Sequence, residues 1–394
     1  MHDDSVVLAV NAGSSSLKFG LYPAHGPVGW AGAYEGLEPG GAPRLRLKDS
    51  VLPLSITPEQ SAFDAALAHL GTALQRHGAP LAAVAHRIVH GGERCVAPCR
   101  LDAATLDYLH TLSPLAPLHQ PHNLAGVAAC ARAFAGVPQV GCFDTAFHAT
   151  LPDVERRLPI ARELAAQGLR RYGFHGLSYQ YLRQTLHGLT PRMNGRALLA
   201  HLGNGASVCA TRDGQSVATS MGFSALDGLM MGTRSGSLDP GVLLHLWRSG
   251  WDLPRVERLL YQESGLKGVS GLSADMRTLR ASDRAEAREA VALFTHRVRR
   301  EAGAMLAVLG GLDLIGFTGG IGEHDAALRA DVVDALACTG ARLDTDANAH
   351  ATGDQAMPVH SADSAVEVWV VPTDEGRVAA QAAFALLASL EPAP

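Results

Sequence analysis

Apolar and polar positions alternate along the chain in short runs that predict an α/β protein. VVLAV at residues 6–10 is a β-branched run that reads as a strand. NAGSSS at 11–16 reads as a turn of small polar residues, and LKFGLY at 17–22 resumes the apolar pattern. The result is strand, phosphate-sized loop, strand. About half a chain later the order recurs: residues 197–201 are apolar, GNGAS at 203–207 is a turn, and VCATRDG at 208–214 continues as a second strand. Two such hairpins predict a duplicated α/β architecture in which one loop from each half faces a cleft.

Helices and strands alternate between and after these hairpins. Residues 64–76 form an amphipathic pattern stopped by Gly78. Asp283 and Glu286 have the spacing of a capping box for a long helix that reaches Leu309 and is ended by Gly310 and Gly311. A strand over 312–317, a glycine loop TGGIGEH over 318–324 and a helix over 325–338 follow. Such an order binds anionic ligands through backbone N–H groups and the helix dipole. The Ala-rich run 378–390, interrupted by Gln381, predicts a terminal helix packed on a core rather than a membrane anchor.

At 394 residues, 47% hydrophobic and 18% charged, the chain is long enough for two lobes. The boundary is set near residue 150: a first lobe over 1–150 joined by the returning C-terminal helix 378–394, and a second lobe over 151–377. The net charge of −5 and the presence of only three lysines, Lys18, Lys48 and Lys267, leave no basic stripe, which argues against nucleic acid as a partner. The acidic start MHDDSVVLAV is unlike a secretory signal, so the expected compartment is the cytoplasm, away from membranes. Cys95 and Cys99, the closest pair of six cysteines, lack metal or redox spacing, and HRIVHGG lacks the glutamate of a helical zinc motif. Free thiols and no structural metal are expected.

Several segments carry candidate chemistry. NAGSSSLK, residues 11–18, combines a glycine, three hydroxyls and one of the few lysines, which suits a phosphate cradle. Arg87 and Arg234 sit beside glycines that let the backbone aim a guanidinium at the charge spread over a transferring phosphoryl group. Asp144 ends an apolar strand, where carboxylates often face a ligand crevice. His175 and His201 adjoin glycines, and each is a candidate hydrogen-bond donor to an oxyanion.

Together NAGSSSLKFG, HRIVHGGE, APLHQPHN, FDTAFHATLP, RRYGFHGLSYQY, HLGNGASV, TSMGF, GLMMGTRSG, FTGGIGEH and VPTDEG resemble the acetate kinase family, in that family's order, from Asn11 to Gly376. The resemblance implies the fold of the acetate and sugar kinase, heat-shock ATPase and actin superfamily, with two duplicated lobes, ATP in the interlobe cleft and a homodimer. It implies reversible phosphoryl transfer from ATP to acetate, dependent on Mg2+ with Mn2+ as an alternative. By matching positions, Asn11 and Glu375 would organise the metal, with Ser14, Ser16 and Lys18 close to the phosphates. Arg87 and Arg234 would clamp the acyl carboxylate and the moving group, His175 would hydrogen-bond that group, and Asp144 would orient the reactants. His201, Asn204 and Gly205 would hold the ATP phosphates. Asp275, Met276 and Arg277, with Gly319, Gly320, Ile321, Gly322 and Glu323, would bind the adenosine side, in the second lobe. Val89, Leu118 and Phe174 would form the methyl pocket, with Ala225 on its wall.

The chain departs from the family's usual residues at Leu177, Tyr179, Ala218, Ser237, Leu238 and His324, and at Ala225, where a proline is common. These departures bear on acid preference and rate, so a propionate or other short-chain acyl kinase stands as the alternative. A nucleotide-binding regulatory protein that has lost turnover and a pyrophosphate-dependent enzyme are the readings from further away.

Overall fold

The computed structural model describes residues 5–57 and 60–390. They fall into two compact units, one of residues up to Ala146 together with those from Asp374 onward, the other Phe147–Thr373.

The first unit is built on an eight-stranded sheet. Its centre is the hairpin Val6–Ala12 and Ser16–Pro23, antiparallel as the small polar turn requires. Trp30–Glu35 extends the hairpin antiparallel on one side, and on the other Leu81–Ile88 and Gln139–Phe143 add in parallel. The short strand Cys99–Arg100 closes that edge antiparallel. Leu8, Val10, Leu17, Phe19 and Leu21 alternate inward against Leu67 and Leu70 of helix Ala62–His77. That helix starts at Ser61, whose side chain accepts from the Asp64 N–H, and stops at Gly78, whose left-handed φ of 75° sends its N–H back to Leu74 O. The terminal helix begins at Glu375, ahead of the apolar run, because Asp374 Oδ1 accepts the Arg377 N–H at 2.9 Å and caps it there.

The second unit repeats the plan with a six-stranded sheet. Gln215–Thr219, Ala206–Arg212 and Arg196–Leu202 form the antiparallel meander. Leu314–Thr318 and Glu367–Val370 then add in parallel, and Met357–Pro358 closes the edge antiparallel. The strand directions of the two sheets therefore match across their cores, which is the expected duplication.

Two local expectations fail. The long helix runs Ala285–Leu309 and its N-cap is Arg284, with no side-chain cap. It starts too late for Asp283 to occupy the cap, and the Asp283 carbonyl instead accepts from Arg288 Nη1 at 2.7 Å. The glycine segment is not an open loop either: Gly319–His324 is a short helix, folded back by Glu323 Oε1, which accepts the Gly319 N–H at 2.8 Å. Among the described residues no helix is long and apolar enough to cross a membrane.

Candidate active site

In the first unit, the turn after Asn11 is closed by the Gly13 N–H donating to Ser16 O at 2.8 Å, which leaves Ser14 exposed at its tip. Lys18 pairs across the hairpin with Asn11 and its side chain is exposed. Beside this strand, Arg87 donates from Nε to Asp144 Oδ1 at 3.1 Å and from Nη2 to Oδ2 at 2.6 Å. Glu375 Oε2 stands 3.2 Å from the same Nε. The parallel pairing of their strands places Arg87 and Asp144 at adjacent strand ends. Asp144 is 1% exposed, and burial raises its pKa from 3.8 to about 6 against the pull of Arg87, with Glu375 adding to the rise. Burial alone would lower the Arg87 guanidinium, but the two carboxylates outweigh it and hold its pKa above the ordinary value.

Asn123 joins these pieces. Its Oδ1 accepts the Val89 N–H at 3.0 Å and its Nδ2 donates to Ala12 O at 2.7 Å, so one amide on helix Gln120–Ala133 ties the strand of Arg87 to the turn after Asn11. Gln120 does the same for His90, accepting its N–H at 3.2 Å and donating to its carbonyl at 3.0 Å. Leu118, half-buried, precedes that helix. Glu375 is placed by Asp374, whose Oδ1 accepts from the Tyr22 hydroxyl at 2.7 Å.

In the second unit, His175 is the N-cap of helix Gly176–His187 with φ 60°, a left-handed conformation that costs a residue with a Cβ on the order of 1 kcal/mol. Its Nδ1 lies 2.9 Å from Ser207 Oγ, and its ring stacks on His201 with centroids 4.2 Å apart. His201 Nδ1 in turn lies 2.7 Å from Ser178 Oγ. Gly205 marks where these groups converge: a Cβ built there would stand 3.1 Å from His175 Nε2 and 3.1 Å from Arg234 Nη2. Arg234 is held from behind by Nη1 donating to Ala225 O at 2.6 Å. Phe174 is fully buried, and its carbonyl is bonded to His148 Nε2 at 2.9 Å. Burial pushes His148 down to about 4, so the ring is neutral at pH 7.

A cavity of about 900 Å³ opens beside this turn, lined by Asn204, Asp275, Met276, Arg277, Gly320 and Ile321 among others. Its size and mixed lining suit a nucleoside. Asp275 caps the helix Met276–Arg280 and is drawn down to about 2 by its hydrogen bonds from Arg277. Gly319, Gly322 and Glu323 are absent from the lining; Glu323 instead braces the segment, accepting also the Thr373 N–H at 3.1 Å.

The Acetokinase family model matches residues 6–381. The chain belongs to the acetokinase family.

Relatives of this family member include an acetate kinase of Rhodopseudomonas palustris, 45% identical over 387 residues, covering 94% of this chain and 95% of the relative. An acetate kinase of Methylocella silvestris is 50% identical over 311 residues, covering 78% and 76%. Among solved structures, the chain is similar to Porphyromonas gingivalis acetate kinase, with a TM-score of 0.87 and 34% identity over 97% of this chain and 100% of that one. It is similar also to a propionate kinase from Francisella tularensis, with a TM-score of 0.88 and 32% identity over 96% of this chain and 98% of the other.

Several residues that brace these groups escape a reading of the motifs. Asn123 and His148 lie inside quoted segments, APLHQPHN and FDTAFHATLP, yet their spacing says nothing of the distant carbonyls they hold. Arg280 and Asp325 both line the cavity of about 900 Å³ and pair at 3.1 Å, with no local signal to announce them. Arg329 is fully buried and donates to Gly322 O at 2.9 Å and Glu323 O at 2.8 Å, fixing the glycine helix from below.

Proposed function

We propose that this member of the acetokinase family transfers the γ-phosphoryl group of ATP reversibly to acetate, giving acetyl phosphate and ADP by direct in-line attack of a carboxylate oxygen. The observation that carries the reading is the convergence of Arg234 Nη2 and His175 Nε2 on Gly205, in the turn whose neighbour Asn204 lines the nucleoside-sized cavity. Relatives named acetate kinase support acetate as the acid.

Acetate is ionised at neutral pH, so no side chain is needed as a general base. The chain's residues act by placing charge. On the second unit, Asp275, Met276, Arg277, Gly320 and Ile321 receive the adenosine, while Asn204, Gly205 and His201 hold the phosphates. Arg234 and an N–H from His175 meet the charge that spreads over the phosphoryl oxygens. Phe174 and Ala225 border the methyl group.

On the first unit, Arg87 receives the acid's carboxylate, its guanidinium plane set by the bidentate grip of Asp144, and Val89 and Leu118 border the methyl group there. Ser14, Ser16 and Lys18 attend the phosphates. Asn11 and Glu375 are hard oxygen donors with a single carboxylate between them, a set that suits Mg2+ held largely by phosphate oxygens and water. When bound, Mg2+ supplies positive charge that offsets the triphosphate. The reading extends to a homodimer in the cytoplasm, with acetate and ATP as its small-molecule partners.

The test is hydroxamate formation and ADP release with formate, acetate, propionate and butyrate under MgATP. Acetate should give the highest kcat/KM. Absence of hydroxamate with every acid overturns the reading.

A further inference from the structure

Tyr179 lies one helical turn beyond His175, its N–H donating to the His175 carbonyl at 3.0 Å. The side chain is fully buried, packed against Phe147 with centroids 5.9 Å apart and edge-on to His148 at 5.7 Å. Its hydroxyl lies 2.5 Å from Ser207 Oγ, which is also the atom 2.9 Å from His175 Nδ1. Ser207 is itself fully buried. A buried chain of three groups therefore runs from the phenol through a hydroxyl to the imidazole.

The direction of its protons follows from counting donors. Ser207 Oγ is the side-chain atom within reach of the Tyr179 hydroxyl. If Ser207 donated to that hydroxyl, the one phenolic proton would be left in the core without an acceptor, at the full desolvation cost of an unpaired polar group. The phenol therefore donates to Ser207 Oγ, and the serine proton goes on to His175 Nδ1. An Nδ1 that accepts leaves the ring proton on Nε2, the nitrogen near Gly205.

We propose that Tyr179 is a positioning residue which, through Ser207, holds His175 in the neutral tautomer that carries its proton on Nε2. The inference rests on the reading of His175 as a donor to the phosphoryl group, and gives that donor its cause. Burial raises the Tyr179 phenol well above its ordinary value, more than Ser207 and the His201 N–H lower it, so the hydroxyl keeps its proton. Among the ionisable groups around His175 are Arg234 near Nε2, the stacked His201, and Tyr179, beyond which stand Cys209 and His148.

The first readout is the tautomer itself. In long-range proton–nitrogen spectra of the full chain with labelled histidine, assigned by loss of the His175→Asn signal, Nδ1 of the parent should resonate as unprotonated and Nε2 as protonated. Tyr179→Phe keeps the ring and removes the relay's source, so both tautomers should appear.

Kinetics supply the second readout. Tyr179→Phe should lower kcat about tenfold with the KM values for ATP and acetate nearly unchanged. The defect should be larger at alkaline than at acid pH, because imidazolium carries a proton on Nε2 whatever the relay does. Tyr179→Phe combined with Ser207→Ala should cost no more than Ser207→Ala alone. A parent proton on Nδ1, a tautomer unchanged in Tyr179→Phe, or additive losses in the double variant overturns the relay. Parent-like turnover by His175→Asn would instead remove His175 from the phosphoryl group, and the spectra would still judge the relay.

Discussion

Arg87 grips Asp144 through two parallel hydrogen bonds of 3.1 and 2.6 Å, and Asp144 is a carboxylate with 1% exposure. The pair orients the guanidinium at the cost of a buried charge.

That cost has a pH signature. Asp144 has its pKa raised by burial from 3.8 to about 6, so the folded state holds its proton more tightly than the unfolded chain. A raised acid stabilises fully below the unfolded value, and the contribution is lost as pH rises through the folded value. Between about pH 4 and 6 the parent should therefore lose roughly 1–3 kcal/mol relative to Asp144→Asn. Urea unfolding of both proteins across that range measures the difference in slope. Parallel profiles would show that Asp144 stays ionised throughout.

Arg234 donates to Ala225 O yet keeps Nη2 near Gly205, so its loss should fall on catalysis rather than on folding. Arg234→Ala is expected to lower kcat by about a hundredfold or more, the scale of one electrostatic transition-state contact. Turnover equal to the parent, in a variant shown folded by circular dichroism, would refute the assignment.

Glu375 opens the terminal helix beside Arg87, placed there through Asp374 and Tyr22. If its carboxylate organises Mg2+, Glu375→Ala should raise the Mg2+ concentration needed for half-maximal rate by more than it raises the KM for acetate. An unchanged Mg2+ titration would take Glu375 out of the metal site.

Ala225 presents its carbonyl to Arg234, an acceptor that a proline at the same position retains. The side chain differs in volume, and a buried methylene is worth about 0.8 kcal/mol, or roughly fourfold in specificity. Ala225→Pro should therefore lower the propionate-to-acetate ratio of kcat/KM several-fold, mostly through loss on propionate. Acetate should remain a substrate, since one methylene is discriminated by only about 1–3 kcal/mol. An equal ratio in parent and variant would mean that neighbouring side chains fill the space.

What the sequence determined by itself was everything that depends on neighbours along the chain. Strands Val6–Ala12 and Arg196–Leu202 follow from short apolar runs, their turns from glycine and small polar residues, and the end of Ala62–His77 from Gly78. The segments holding Arg87, Asp144, His175 and Arg234 were legible for the same reason, since a glycine that lets a backbone approach a phosphate must sit within a few residues of the group it aims. The capping box at Asp283 shows the limit of that reasoning, because the long helix starts after Arg284 with no side-chain cap. Only the tertiary structure decided which partners hold the site. It brought Asn123 to Ala12, Ser207 to His175, Arg280 to Asp325 and Arg329 beneath the glycine helix. Each of these contacts satisfies a polar group whose partner lies elsewhere in the chain. Burial makes such pairing obligatory, yet nothing in periodicity or spacing states which distant carbonyl or hydroxyl the fold will bring within 3 Å.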